Sequence, residues 1–451
     1  MKKAKINYQN RKVLPYFFQG RTFKLATILS WVIAGILVLL PFHALLTTWA
    51  GSNFGHLDSW RVWKEILFLL MLPPAGWLVW HSPTLKKWLV NAWITRLFAI
   101  YIFLHLALGT WAYTNHEVNK TALIYSLVVN LRLVGFFILC FIVAAYSGFL
   151  RRHWQKILLI PAGIVVLFGL VQKFLLPYDF LRHFGYGSST IPAYQTVDAN
   201  LDYRRIQSTL RGANPLGAYL VLVIPALGVG TKKSRILRAG VVLAGLLVLI
   251  FSYSRSAWLG LAAIAATLRA MTLRNLSVSY RALLILIALL ILVGGGIYLT
   301  NKSEEAQNVV FHTSGDSASA RSSNADRLAS LEAGAKDIIY QPLGRGPGTA
   351  GPASFRNDQP PRIAENYFLQ IGQEVGVIGM ALFVAINILV ARELWVRRKD
   401  QLAKILLASL IGLTIVNLLS HAWTDDTLSY VWWGLAGMAL APILKRNGKK
   451  Q

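Results

Sequence analysis

Long apolar runs dominate this chain and leave it few ways to fold. Most are roughly 17–25 residues long, enough to span the hydrocarbon core of a bilayer as helix. In lipid the backbone must satisfy its own polar groups, so only helices and closed barrels can cross. The alternating pattern of a membrane barrel is absent. An all-α polytopic membrane protein follows, with about twelve spans at about 25–47, 64–81, 96–113, 128–149, 157–177, 214–230, 236–253, 256–272, 281–299, 367–391, 402–420 and 428–444. Composition agrees: 55% of the 451 residues are hydrophobic and 14% charged, against about 25% charged in soluble domains.

The net charge of +27 raises nucleic acid as a partner, but its distribution excludes that reading. More than half of the basic residues fall in "MKKAKINYQNRK", "TLKKW", "RRHWQK", "TKKSRILR", "RAMTLRNLSVSYR", "RELWVRRKDQLAK" and "KRNGKK", short segments between apolar runs. Placed on the cytoplasmic side, they put both termini there. Basic clusters also flank 239–268 and demand an even number of crossings, so the region is split at "SYSRS". The single Cys140 lies in an apolar run, where core packing is its expected role, and permits no intramolecular disulfide. No cleavable signal peptide is expected, because the first apolar run is too long.

Three regions result: an N-terminal bundle over 1–299 with about nine helices, an outer loop domain over 300–366, and about three further helices in 367–451. A second long outer loop covers about 178–213. The larger loop reads as partly ordered, since "DRLASLEAGAKDIIY" places Leu328, Leu331, Ala335 and Ile338 near helical spacing.

The outer side carries arginines that the positive-inside rule disfavours. Arg204 can snorkel to headgroups, and Arg211 can be a surface charge before the helix start at Asn214-Pro215. Arg255 sits in a tight turn between two spans. There a helix N-terminus and a guanidinium would favour the same anion, with a structural ion pair as the plainer alternative. In "ENYFLQIGQEVGVIG", Asn366, Gln370 and Gln373 share one helix face, and Gly372, Gly376 and Gly379 share another suited to close helix packing. Glu365 stands outside as a dipole partner or as a group that orients a hydroxyl. His421, Asp425 and Asp426 read as a solvated turn rather than metal ligands. His183 and His312 carry no assignment. The fifteen Trp residues mostly suit interfacial belts.

Together, "SWRVWKEILFLLML", "RIQSTLRGANPLGAYL", "SYSRSAWLG", "RLASLEAGAKDIIYQPLGRGPGTAG" and "ENYFLQIGQEVGVIG" resemble the O-antigen ligase and polymerase superfamily of bacterial membrane glycosyltransferases. Each motif is short; their joint order carries the resemblance. It implies a GT-C-like fold in the cytoplasmic (inner) membrane with an extracytoplasmic active site. The activity implied is transfer of a saccharide from an undecaprenyl pyrophosphate-linked glycan donor to a glycan or lipid-linked acceptor. No cofactor and no metal are implied, and the partners are these substrates and membrane lipids, not nucleic acid. By motif, Arg205 and Arg255 would bind the pyrophosphate, with Arg211 as a helper. Glu365 falls where ligases usually carry a histidine that activates the acceptor, a departure that points toward polymerases. Catalytic roles are thus expected of Glu365 and Arg255, and substrate binding of Arg205, Arg211, Asn214, Arg327, Asn366 and Gln370. The competing class is a flippase-like transporter of lipid-linked glycans. It would need charges deep within spans, for which Arg132 is the candidate.

Overall fold

The computed structural model describes residues 16–197, 200–230, 234–272 and 323–444. The chain enters through α1 (Tyr16–Leu39) and α2 (His43–Phe54), joined at Pro41 into one apolar stretch. A short α3 (Leu57–Arg61) leads to α4 (Trp63–Trp80) and α5 (Pro83–Asn91), which meet at a bend of 105°. Sequence explains the break: Ser82 accepts from the Leu85 amide at 3.2 Å and Pro83 opens α5, a pairing that starts a new helix. Then come α6 (Trp93–Thr114), α7 (Lys120–Tyr146), capped by Asn119, and α8 (Phe149–Phe174).

An antiparallel hairpin of β1 (Gln195–Val197) and β2 (Asn200–Arg205) precedes α9 (Ala213–Gly230), α10 (Arg235–Phe251) and α11 (Arg255–Thr272). The C-terminal part holds α12 (Ser323–Tyr340), α13 (Tyr367–Val396), α14 (Gln401–Leu418) and α15 (Asp426–Leu440).

Every expected span among the described residues falls on a helix, and the break at "SYSRS" separates α10 from α11. The span at 281–299 and His312 lie outside the described residues. Six described helical stretches are long and apolar enough to cross a membrane, or seven if the bent α4–α5 pair is one span. The protein is therefore a multi-pass, mainly helical membrane protein.

The most extensive helix contacts join α7 to α15 and α11 to α14. The second pair is close because glycine faces glycine: a Cβ on Gly412 would stand 2.5 Å from the Gly260 carbonyl oxygen. The core also holds Trp423, Trp432 and Trp433, all nearly fully buried, with the Trp432 indole donating to Ser409 Oγ at 2.9 Å. These three are core residues, not interfacial belts. Cys140 is buried.

Two expectations for helices change. The inward face of α12 is Leu331, Gly334 and Ile338, while Leu328 and Ala335 are exposed. The face is rotated because α12 packs on α13, where the Ile338 side chain occupies the space over Gly372. In α13 the helix is broken at Val375–Gly376, with Gly376 at φ 74° and ψ −178°. This is a region open essentially to glycine alone. Into the break comes the loop "PLGRGPGTAG" of residues 342–351. Arg345 and Gly346 donate backbone hydrogen bonds to the carbonyls of Gln373 and Glu374, and Val377 donates to Pro342. Gly376 thus makes room for a loop rather than for a neighbouring membrane helix.

Candidate active site

A cavity of about 540 Å³ opens where the hairpin, the start of α9, the N-terminal part of α12, the segment before α13 and the α14–α15 turn meet. Arg205, Arg211, Asn214, Arg327 and Glu365 all line it, and they come from three separate stretches of sequence. Gln195, His421 and Asp425 complete its polar wall.

Strand alternation sorts the first arginine pair. Arg204 faces outward with its guanidinium 5.3 Å from the Tyr178 ring centroid, and Arg205 turns to the cavity. Arg205 Nε donates to the Ser252 carbonyl at 2.9 Å, and its Nη2 donates to Asn214 Oδ1 at 2.6 Å. Asn214 therefore orients an arginine. Burial lowers the Arg205 pKa to about 10, and the charges of Arg327 and Arg255 add to the effect. It remains a cation at neutral pH, held in a surplus of positive charge that an anion would relieve.

Arg255 opens α11 and is half-buried. It does not line the cavity, although its charge reaches Arg205. Arg211 is half-exposed at the cavity and lies 3.9 Å from Asp425 Oδ2. Burial works to lower its pKa, but Asp425, Asp426 and the Tyr125 phenol outweigh that and raise it. Three arginines face two carboxylates in the cavity wall, an imbalance that favours an anionic ligand.

Glu365 accepts from Arg327 Nε at 2.6 Å. Both side chains are about one-third exposed, so the pair adds roughly 0–1 kcal/mol to stability. What it fixes is position. Glu365 has φ 47°, and Ser208 and Tyr253 are also left-handed, at 52° and 49°. Such backbone costs of order 1–3 kcal/mol per residue and persists where surrounding contacts hold it. Ser208 shows how: its amide donates to Gln172 Oε1 at 2.8 Å and its hydroxyl to the Val165 carbonyl at 2.7 Å.

Asn366 and Gln370 do not line this cavity. The Asn366 side chain caps α13, accepting from Phe368 and Leu369 amides and donating to the Leu418 carbonyl at 3.0 Å. Gln370 is buried against Gly351, whose Cα faces it so closely that a Cβ there would lie 2.2 Å from Gln370 Cδ. Asn366 thus serves as a helix cap, and Gln370 packs against the inserted loop.

The last turn is not solvated. Asp425 caps α15 through the Leu428 amide and is buried, and burial with the neighbouring Asp426 charge raises its pKa. Asp426 accepts from Lys64 Nζ at 2.9 Å and sits 3.1 Å from His43 Nε2. The His421 pKa is lowered, chiefly by burial and then by Arg211. Deeper in, Arg132 Nε donates to Ser429 Oγ at 3.0 Å and another guanidinium nitrogen to the Thr424 carbonyl.

Glu374 escaped the sequence reading. It is fully buried in α13, just before the break. Its carboxylate accepts from Ser126 Oγ at 2.9 Å, Asn130 Nδ2 at 2.6 Å and the Gly348 amide at 2.8 Å. The available signal was a carboxylate well inside an apolar run, a position expensive enough to demand partners. Arg132 is thus not alone among deep charges, but both it and Glu374 are engaged by protein groups.

Residues 239–384 match a family model described as O-antigen ligase. No curated protein matches the chain. The matched segment runs from α10 past the break in α13 and includes Arg255, Arg327 and Glu365, and through it the chain is similar to the O-antigen ligase and polymerase superfamily.

Proposed function

We propose that the protein is a glycosyltransferase that moves a saccharide from an undecaprenyl pyrophosphate-linked donor to a glycan or lipid-linked acceptor at the outer face of the cytoplasmic membrane. The observation that carries this reading is the meeting of Arg205, Arg211, Arg327 and Glu365 in one cavity. Arg205 and Arg211 would hold the pyrophosphate, with Arg255 adding positive potential behind Arg205. The acceptor hydroxyl oxygen would attack the anomeric carbon as the bond from that carbon to the pyrophosphate oxygen breaks. The leaving group departs as a pyrophosphate anion, and fixed guanidiniums stabilise the charge it gains. Glu365, aimed by Arg327, would orient the hydroxyl and take its proton late in the step.

We read the membrane topology as twelve crossings, with both termini cytoplasmic and the cavity outside. Cysteines placed at Asp316 and Arg398 should label from the outer and inner sides respectively; the same side for both sinks that topology. For the chemistry, purified protein with a defined polyprenyl pyrophosphate-linked donor should release polyprenyl pyrophosphate as product glycan forms. A protein that moves lipid-linked glycan across vesicles without that release would be a transporter instead.

A further inference from the structure

A second recess, of about 470 Å³, lies further along α12 from the arginine cavity and has a different chemistry. Its floor is Ala333 and Gly334 of α12, its edge is Phe355, and its polar groups are Asp337, Arg362 and Gln373. Phe355 is 66% exposed, so its ring is open to contact by a ligand. Gln373 Nε2 donates to Asp337 Oδ2 at 2.8 Å, and Arg362 Nη1 is 3.9 Å from the same oxygen.

The wall is rigid. The Arg362 amide donates to Ser354 Oγ at 3.0 Å, and its carbonyl accepts from the Gly351 amide at 2.8 Å. Gly334 lets α12 approach the segment before α13 closely, since a Cβ there would stand 3.0 Å from Ala364 Cβ. One acid and one base balance, so the recess selects against a highly charged ligand, unlike its neighbour. An exposed ring edge beside a carboxylate, a guanidinium and a planar amide suits a ligand with apolar C–H faces and many hydroxyls.

We propose that this recess is a subsite for neutral sugar residues of the glycan acceptor. The two sites share walls. Arg327 of the cavity and Ser330 of the recess are one turn apart on α12, a rise of about 5 Å. Ile363 of the recess and Glu365 of the cavity are two residues apart in the chain. A saccharide seated over Phe355 extends toward Glu365, which is where an attacking hydroxyl is needed. The proposal rests on the glycosyltransferase reading for its acceptor role, while sugar binding itself does not depend on it.

The test uses the full chain in detergent with 4-fluorophenylalanine at position 355. The probes are neutral oligosaccharides released from the surface glycan of the producing cells, inorganic pyrophosphate, and phosphatidylglycerol vesicles. The expected result is a saturable fluorine shift with the oligosaccharides and none with pyrophosphate. Asp337→Asn, which retains an acceptor for Gln373, and Arg362→Gln should each weaken that affinity on the order of tenfold. In transfer assays Phe355→Ala should raise the acceptor KM and leave donor KM and kcat unchanged. No saturable shift with the oligosaccharides, a response to vesicles alone, or an affinity indifferent to both polar substitutions would overturn the subsite. Pyrophosphate binding lost in Arg205→Ala reads the arginine cavity separately, so a failed recess and a failed donor site give different results.

Discussion

Glu365 and Glu374 flank the first turns of α13, and the chain uses the two carboxylates in opposite ways. Glu365 is held by one arginine, on left-handed backbone, at the edge of a cavity with surplus positive charge. Glu374 is enclosed, and three donors from α7 and the inserted loop converge on it. The first arrangement leaves acceptor capacity for something that arrives. The second uses that capacity to pin a glycine-rich loop into a broken helix. A carboxylate in an apolar protein is costly either way; its partners decide whether the cost supports chemistry or architecture.

The sharpest way to break this contrast is to remove each group. Glu374→Ala leaves the Gly348 amide, Asn130 and Ser126 without their acceptor, which should cost roughly 3 kcal/mol or more. Thermal unfolding in detergent should shift down strongly and transfer should vanish with it. Glu365→Gln should do the reverse: little change in unfolding, with transfer reduced roughly 10²–10⁴-fold. Equal thermal losses in both would erase the distinction, and wild-type transfer by Glu365→Gln would reduce that residue to a helix-dipole partner.

A smaller effect is expected at the break itself. Gly376→Ala forces a side chain into a backbone region that costs about 1–3 kcal/mol, and its Cβ would lie 2.4 Å from the Pro342 carbonyl oxygen. Stability should fall, and limited proteolysis should open the chain within 342–351. If that loop stays protected, the break does not depend on glycine. On the cavity side, Arg205→Lys keeps the charge but cannot bridge Ser252 and Asn214 at once. Transfer should drop roughly ten- to a hundredfold with unfolding nearly unchanged. Unaltered transfer would mean that charge alone suffices there.

The contrast also marks how far the sequence could be read. The cavity positions of Arg205, Arg211, Asn214 and Glu365 were legible because each lies in a short polar motif that leads into an apolar run, and Arg327 because it opens the one amphipathic stretch of the long polar loop. Asn366 and Gln370 were misplaced because a helical wheel assumes an unbroken helix standing free. The real helix starts with Asn366 as its cap, buries Gln370 against Gly351 and breaks at Gly376. Asp425 and Asp426 looked solvated because their partners come from far away: Lys64 and His43 from the start of the chain, Arg211 from its middle. No local pattern announces such pairs. Glu374 failed for the same reason, its donors lying on α7 and in the loop.

The smallest effect, and the one that ties the cavity to its anion, concerns His421. Burial and Arg211 lower its pKa below the usual 6.5. Between its folded and unfolded pKa values the unfolded chain binds more protons, so stability is complete above pH 6.5 and falls as pH drops through the folded value. Wild-type unfolding temperature should therefore decline below pH 6.5 more steeply than that of His421→Gln, a difference of a few degrees at most. Bound pyrophosphate should flatten the decline, because an anion beside Arg211 favours the protonated ring. The same titration at Glu374→Gln should keep the His421 dependence, since that clamp lies away from the cavity wall. A decline that pyrophosphate leaves unchanged would show that the anion does not sit near His421, and would move the donor site away from the α14–α15 turn.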